Sequence, residues 1–183
     1  TASSPTTTIT GMTTAGTYIF QWTIANAPCT ASNDQVSIIV NAPPTTANAG
    51  LDQTICSSVG SATMAGNTPV VGTGLWTKLS GPAGGIITTA SSPTTTITGM
   101  TTAGTYIFQW TIANAPCTPS SDQVSIIVNA PPTTANAGPD QTICSSVGSA
   151  TMAGNTPLVG TGLWTKLSGP AGGNITTASS PNT

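Results

Sequence analysis

The sequence predicts an all-β protein built from tandem two-sheet sandwiches with an 88-residue period. Three observations carry this reading. Shifting the 183-residue chain by 88 aligns 95 positions, of which 89 are identical. Apolar residues alternate at period two in its longest segments. Thr, Ile and Val, which suit a pleated surface, dominate, and no stretch has a helical period. A fixed long period marks an array of one unit. A unit of 88 residues is long enough for a small domain with its own core.

The linker Asn41-Ala42-Pro43-Pro44-Thr45-Thr46 returns at residues 129–134. Consecutive prolines favour an extended, semi-rigid connection. With that boundary, residues 42–129 form one complete unit. Residues 1–41 are the C-terminal half of a preceding unit, and residues 130–183 are the N-terminal part of a following one. No initiator Met, no signal-peptide pattern and no apolar run of membrane-spanning length occurs, so the chain reads as a window cut from a longer array.

Within the complete unit, Ala47–Ile55, Ser61–Ala65, Gly74–Ser80 and Gly85–Thr89 read as short strands punctuated by Gly, Pro, Asn and Ser. From Pro93 to Met100, Thr94, Thr96 and Thr98 alternate against Thr95 and Ile97. From Thr105 to Ala113, Tyr106, Phe108, Trp110 and Ile112 share one face, while Gln109 and Thr111 take the other. From Asp122 to Val128, Val124, Ile126 and Val128 share a face. Seven short strands fit a sandwich. Tyr106 stands where a tyrosine corner would, its hydroxyl tying down a loop. Trp76 is expected to pack between the sheets; stacking on a sugar is the alternative.

Composition excludes several functions. The chain has two Lys, four Asp, and no Arg, Glu or His, for a net charge of −2. General acid–base catalysis draws on the residues it lacks, and no Ser-His-Asp, Cys-His or paired-carboxylate set can be assembled, so no enzyme is expected. Two cations cannot neutralise a phosphate backbone, which excludes nucleic acid. No metal or other cofactor is expected. Asp34, Asp52, Asp122 and Asp140 read as turn and cap residues, because calcium wants six to eight oxygens. Lys78 and Lys166 follow Trp76 and Trp164 by two residues and read as bulge or edge lysines. A Lys–Asn isopeptide bond is the alternative.

The four cysteines read as staples. Cys29 and Cys117 are 88 residues apart, as are Cys56 and Cys144, so each unit owns two. Cys56 precedes the second strand and Cys117 follows the sixth, which predicts a Cys56–Cys117 disulfide. Cys29 and Cys144 would then pair with adjacent half-repeats or neighbouring chains. The alternative joins Cys29 to Cys56 and Cys117 to Cys144 across the linker, since four cysteines allow three connectivities. Disulfides imply an oxidising, extracellular compartment.

Thr (38) and Ser (19) supply the polarity that charge does not. Thr suits strands and solvates through its hydroxyl. O-glycosylation, as in Ser/Thr/Pro-rich stalks, is the competing reading. Its candidates are Thr6, Thr7 and Thr8, Thr94, Thr95 and Thr96, and the linker residues Thr45, Thr46, Thr133 and Thr134. Ice binding through threonine ladders is a third reading. The one N-glycosylation sequon starts at Asn174.

Ala135-Asn136-Ala137-Gly138-Pro139-Asp140-Gln141-Thr142, with its copy at residues 47–54, resembles the opening of PKD/REJ-like immunoglobulin-fold repeats. Trp76-Thr77-Lys78-Leu79-Ser80-Gly81-Pro82 is similar to that family's third strand and turn. Residues 98–108 and 121–128 are similar to its later strands. The likeness covers the whole unit and is nearest to cysteine-containing repeats of large secreted Bacteroidetes surface proteins. It implies immunoglobulin-like sandwiches, secretion, and a structural role in an extracellular fibre or giant adhesin. The expected partner is the chain itself, head to tail or as a longer array. In one form, residues 130–183 of one chain and 1–41 of the next rebuild a sandwich, with Cys144 bonded to the neighbour's Cys29. The rival is a carbohydrate-binding module.

Overall fold

The computed structural model describes residues 4–181, and among these residues there is no helix. The first two strands, β1 (Gly16–Ile24) and β2 (Ser32–Val40), pair as an antiparallel hairpin. Seven more follow: β3 (Gln53–Cys56), β4 (Ala62–Thr63), β5 (Thr73–Ser80), β6 (Ile86–Ile87), β7 (Thr96–Thr98), β8 (Gly104–Ala113) and β9 (Ser120–Asn129). They form two sheets, ordered β3-β9-β8-β5 and β4-β7-β6. The β3–β9 pair is parallel and the others are antiparallel. Residues 130–181 carry no strand.

Period-two alternation decides which face of β8 and β9 goes inside. Tyr106, Phe108, Trp110, Ile112, Val124, Ile126 and Val128 are all buried beside Trp76 of the neighbouring β5, in one core with Met64, Ile97 and Met100. The Trp76 and Trp110 ring centroids lie 5.1 Å apart at 37°. Each indole N–H finds a carbonyl: Trp76 Nε1 donates to Pro93 O and Trp110 Nε1 to Asn67 O, both at 3.1 Å. A buried indole without such a partner would cost its desolvation. Glycine makes room for these rings. A Cβ on Gly74 would stand 2.1 Å from Trp110 Cζ2.

Tyr106 forms the expected corner. Its hydroxyl donates to Thr102 O, four residues upstream, and lies at 3.1 Å from Ala83 O as well. The segment 47–55 departs from expectation, because only its last residues pair as a strand. Upstream, side chains take the place of the ladder. Ala47 N donates to Ser120 Oγ (2.9 Å) and Ala49 N to Asp122 Oδ2 (2.8 Å), while Asp52 Oδ1 accepts from Ser125 N (2.8 Å).

The β1–β2 hairpin repeats the β8–β9 register, Gly16↔Val40 matching Gly104↔Val128. Its apolar face is open: Trp22 is 41% exposed, whereas Trp110 is fully buried. Residues 130–181 keep the local bonds of residues 42–93. Thr133 N to Val159 O and Trp164 N to Ala178 O repeat Thr45 N to Val71 O and Trp76 N to Ala90 O.

Two truncations separate the buried copy from the open one. In dilute, reduced protein, Trp110→Ala should lower the unfolding free energy by about 3–5 kcal/mol. Trp22→Ala should change it by less than ~1 kcal/mol, as expected at a partly exposed site. Urea melts followed by fluorescence read both, and equal losses would show that the two hairpins are equally packed.

Candidate functional site

Among the described residues no group of three or more Cys or Asp side chains is placed to hold a metal ion. The chemistry that is present lies in four thiols, two ammonium groups and the hydroxyl surface. Trp76 is 1% exposed and stacked on Trp110, which takes it out of any sugar-stacking role. Lys78 Nζ donates to Pro82 O (2.5 Å) and Gly84 O (2.8 Å) and stands 5.0 Å above the Tyr106 ring. The β5–β8 register shifts between Lys78 and Ser80, so the lysine lies at a bulge, with carbonyls and a ring around its ammonium group instead of an asparagine side chain. Lys166 Nζ donates likewise to Pro170 O and Gly172 O.

All four cysteines are free thiols, so the predicted Cys56–Cys117 disulfide is absent. The topology explains why. Cys56 pairs with Asn129, the last residue of β9. Cys117 lies in the loop before β9, where its Sγ is 3.5 Å from Asn41 O and 3.4 Å from Ala42 O. A ten-residue strand separates them by about 30 Å, and a disulfide needs Cα atoms within roughly 7 Å. The loop also clamps the incoming chain through Asn41 Nδ2 to Ala115 O (2.5 Å) and Asn114 Nδ2 to Ala42 O (2.8 Å). Position along the sequence did not reveal that the two cysteines mark opposite ends of the sandwich.

Ser58 Oγ donates to Cys56 Sγ at 3.1 Å, and Ser146 Oγ repeats this on Cys144. These hydroxyls, helped by the same serines' N–H groups, hold both thiols below the usual thiol range. The Ser125 backbone N–H likewise holds the Asp52 carboxyl below the usual carboxylate range.

The hydroxyl candidates divide by burial. Thr95 is 3% exposed, accepts from Thr89 N at 2.9 Å and shares a hydrogen bond with Thr88 Oγ1. A glycan cannot be carried there; Thr95 shares the inward face with Ile97, a pairing the alternation already contained. Thr45 Oγ1 accepts from Val70 N and Val71 N, and Thr133 Oγ1 from Leu158 N and Val159 N, so both are loop-forming hydroxyls. Thr6, Thr7, Thr8, Thr46, Thr94, Thr134 and Asn174 are exposed, and Thr96 is half-buried.

Residues 49–128, the span of the seven-strand unit, match the family described as K319L-like, PKD domain, so an immunoglobulin-type PKD domain is recognised in this chain. The chain is 32% identical over 134 residues to the mouse (Mus musculus) Dyslexia-associated protein KIAA0319-like protein. That match covers 67% of this chain and 13% of the relative, so the chain spans a small part of that protein's length. It is also 30% identical to the solution structure of the PKD domain from KIAA 1837 protein, over 53% of this chain and 93% of the other, with a TM-score of 0.41.

Two measurements follow from the perturbed groups. In a Cys29→Ser, Cys117→Ser, Cys144→Ser background, the pH midpoint for iodoacetamide alkylation of Cys56 should rise when Ser58 becomes Ala; an unchanged midpoint would show that the hydroxyl does not hold the thiolate. Asp52 has its pKa lowered by folding, so its stabilising contribution is present above the unfolded carboxylate pKa and is lost as pH falls through the lower folded value. The melting temperature of Asp52→Asn should therefore fall less between pH 6 and pH 2 than that of the unaltered chain, and parallel losses would contradict this.

Proposed function

We propose that this chain is a structural repeat segment of an extracellular, glycosylated fibre or giant cell-surface adhesin of the Bacteroidetes kind, with PKD-like sandwiches in tandem at the 88-residue period. The observation that carries the proposal is a fully packed PKD sandwich whose outer surface bears hydroxyls almost without charge. Burial of Tyr106, Phe108, Trp110 and Trp76 spends the unit's aromatic side chains on cohesion. Its ordered groups end on backbone: Lys78 on carbonyls, Asp52 and Asp122 on N–H groups. Such a unit resists unfolding and transmits force. Soluble domains usually stay dispersed through surface charge, and glycans on exposed threonines would replace that charge. A carbohydrate-binding role would need an accessible aromatic platform, and Trp76 cannot supply one.

Intact-mass spectrometry of the protein from its natural source tests this. Hexose-sized increments lost on deglycosylation are expected, mapping to exposed positions such as Thr6, Thr46, Thr94, Thr134 and Asn174, and never to Thr95. A bare polypeptide mass would remove the glycan part of the proposal. Saturable binding of the bare chain to free oligosaccharides would move it to the lectin class.

A further inference from the structure

The segment Asn41-Ala42-Pro43-Pro44-Thr45-Thr46 makes contacts that a spacer does not need. Pro43 and Pro44 have no N–H to give to a ladder. The chain there can be held only through carbonyls and neighbouring side chains, and both are used. β2 ends at Val40, and the next two residues lie against the loop between β8 and β9. Asn41 Nδ2 donates to Ala115 O (2.5 Å), and Asn114 Nδ2 donates to Ala42 O (2.8 Å). Cys117 Sγ lies 3.5 Å from Asn41 O and 3.4 Å from Ala42 O. The gripping loop is itself a closed turn, with Cys117 N donating to Asn114 O at 2.9 Å. Beyond the prolines, Thr45 N donates to Val71 O (3.0 Å), and Thr45 Oγ1 accepts from Val70 N and Val71 N, both at 2.9 Å. Asn41, Ala42, Pro44 and Thr45 are half-buried.

The same six residues at 129–134 show a second hold, from the opposite side. Asn129 ends β9, stands opposite Cys56 in the β3–β9 pair, and its carbonyl accepts from Ser57 N at 2.8 Å. Farther on, Thr133 N donates to Val159 O, and Thr133 Oγ1 accepts from Leu158 N and Val159 N, repeating Thr45. One linker thus shows its asparagine held by the sandwich that the chain leaves, and the other shows it held by the sandwich that the chain enters. The two holds are compatible. The first uses the asparagine carbonyl, whereas the second runs chiefly through the asparagine amide and the following alanine carbonyl. Where a thiol and an N–H meet the same carbonyl, its two lone pairs serve both.

Units joined by a short linker move relative to one another by default, unless contacts across the boundary prevent it. We propose that Asn41-Ala42-Pro43-Pro44-Thr45 is a locked joint, in which Asn114, Ala115 and Cys117 of the β8–β9 loop grip the end of the incoming strand and fix the direction in which that strand meets the sandwich. Thr45 pins the far side of the two prolines, so no residue between Val40 and Ala47 is left as slack. The chain enters beside Cys117 and leaves at Asn129, about 30 Å away along β9. A pull on the chain then passes from the end of β2 into the loop and along β9 without first straightening a spacer. Such a joint presupposes the tandem reading but not the glycans: a loose linker on a glycosylated chain would sink the joint alone, and a bare chain would leave it standing.

The test uses the 183-residue chain with Cys29→Ser, Cys56→Ser and Cys144→Ser, which leaves Cys117 as its one thiol. In ¹⁵N relaxation, Ala42 and Thr45 should show the order parameter of a strand, roughly 0.85, where a flexible spacer falls below ~0.6. Asn41→Asp keeps the side chain's size but turns its donor towards Ala115 O into an acceptor. Combined with Asn114→Ala, it should bring Ala42 into the flexible range and leave Thr45 ordered. Alkylation of Cys117 by iodoacetamide should quicken about tenfold, as the loss of two hydrogen bonds allows. The urea midpoint of the central sandwich should stay in place. Asn41→Asp alone should give the same changes at smaller size, and it is the variant to read if the double variant does not fold. Flexibility at Ala42 in the unaltered linker overturns the joint whatever the variants do. Unchanged order and unchanged alkylation in the variants overturn the assignment of the grip to Asn41 and Asn114.

Discussion

Trp110 seated in a slot walled by Gly66 and Gly74 is the contact on which the sandwich depends. The indole lies against Gly74 on β5 and Gly66 in the loop after β4, stacks on Trp76 and is held at its N–H by Asn67 O. Glycine is required because any side chain at Gly74 would occupy the ring's own volume. The slot belongs to residues 42–93, and the ring belongs to β8. The unit is therefore two complementary halves, neither of which can bury its apolar face without the other. The flanks display each half separately. The β1–β2 hairpin carries the ring without the slot, and residues 130–181 carry the slot without the ring.

The polar groups reinforce this division. Ser120, Asp122 and Ser125 on β9 bond to residues 47–52 on the other half, so the seam is closed by directional contacts as well as by packing. Side-chain acceptors do there what a strand ladder does elsewhere, and they fix the register of the two halves to a single residue. Within the second half, the tyrosine corner and the β8–β9 ladder need nothing from outside. Tyr18 OH therefore donates to Thr14 O in the open hairpin much as Tyr106 OH does to Thr102 O in the closed unit.

Much of this was legible in the residues. The stripe Tyr106, Phe108, Trp110, Ile112 predicted the buried face of β8, and Val124, Ile126, Val128 that of β9, because period two admits only one inward set. The Tyr106 corner followed from its place at the start of a strand. The inward orientation of Thr95 was available from Ile97 on the same face, but a hydroxyl among threonines reads as surface until a packed neighbour is known. The cysteines were misplaced for a different reason. Strand order along the chain does not tell which end of the sandwich each loop occupies, and the parallel β3–β9 pairing puts Cys56 at the end away from Cys117. Residues 47–52 were read as strand because their extended pattern is the same whether the partner is a backbone or a row of Ser and Asp side chains.

The central claim is that the β8–β9 hairpin is held by the slot of residues 42–93, whereas the identical β1–β2 hairpin stands open in the 183-residue chain. Amide hydrogen exchange measures this directly, using peptides over residues 31–40 and 119–128, which Ala31/Pro119 and Asn33/Ser121 make distinguishable by mass. In dilute, reduced chain, residues 119–128 should be strongly protected and residues 31–40 should exchange far faster. Protection of residues 31–40 equal to that of residues 119–128 would contradict the claim.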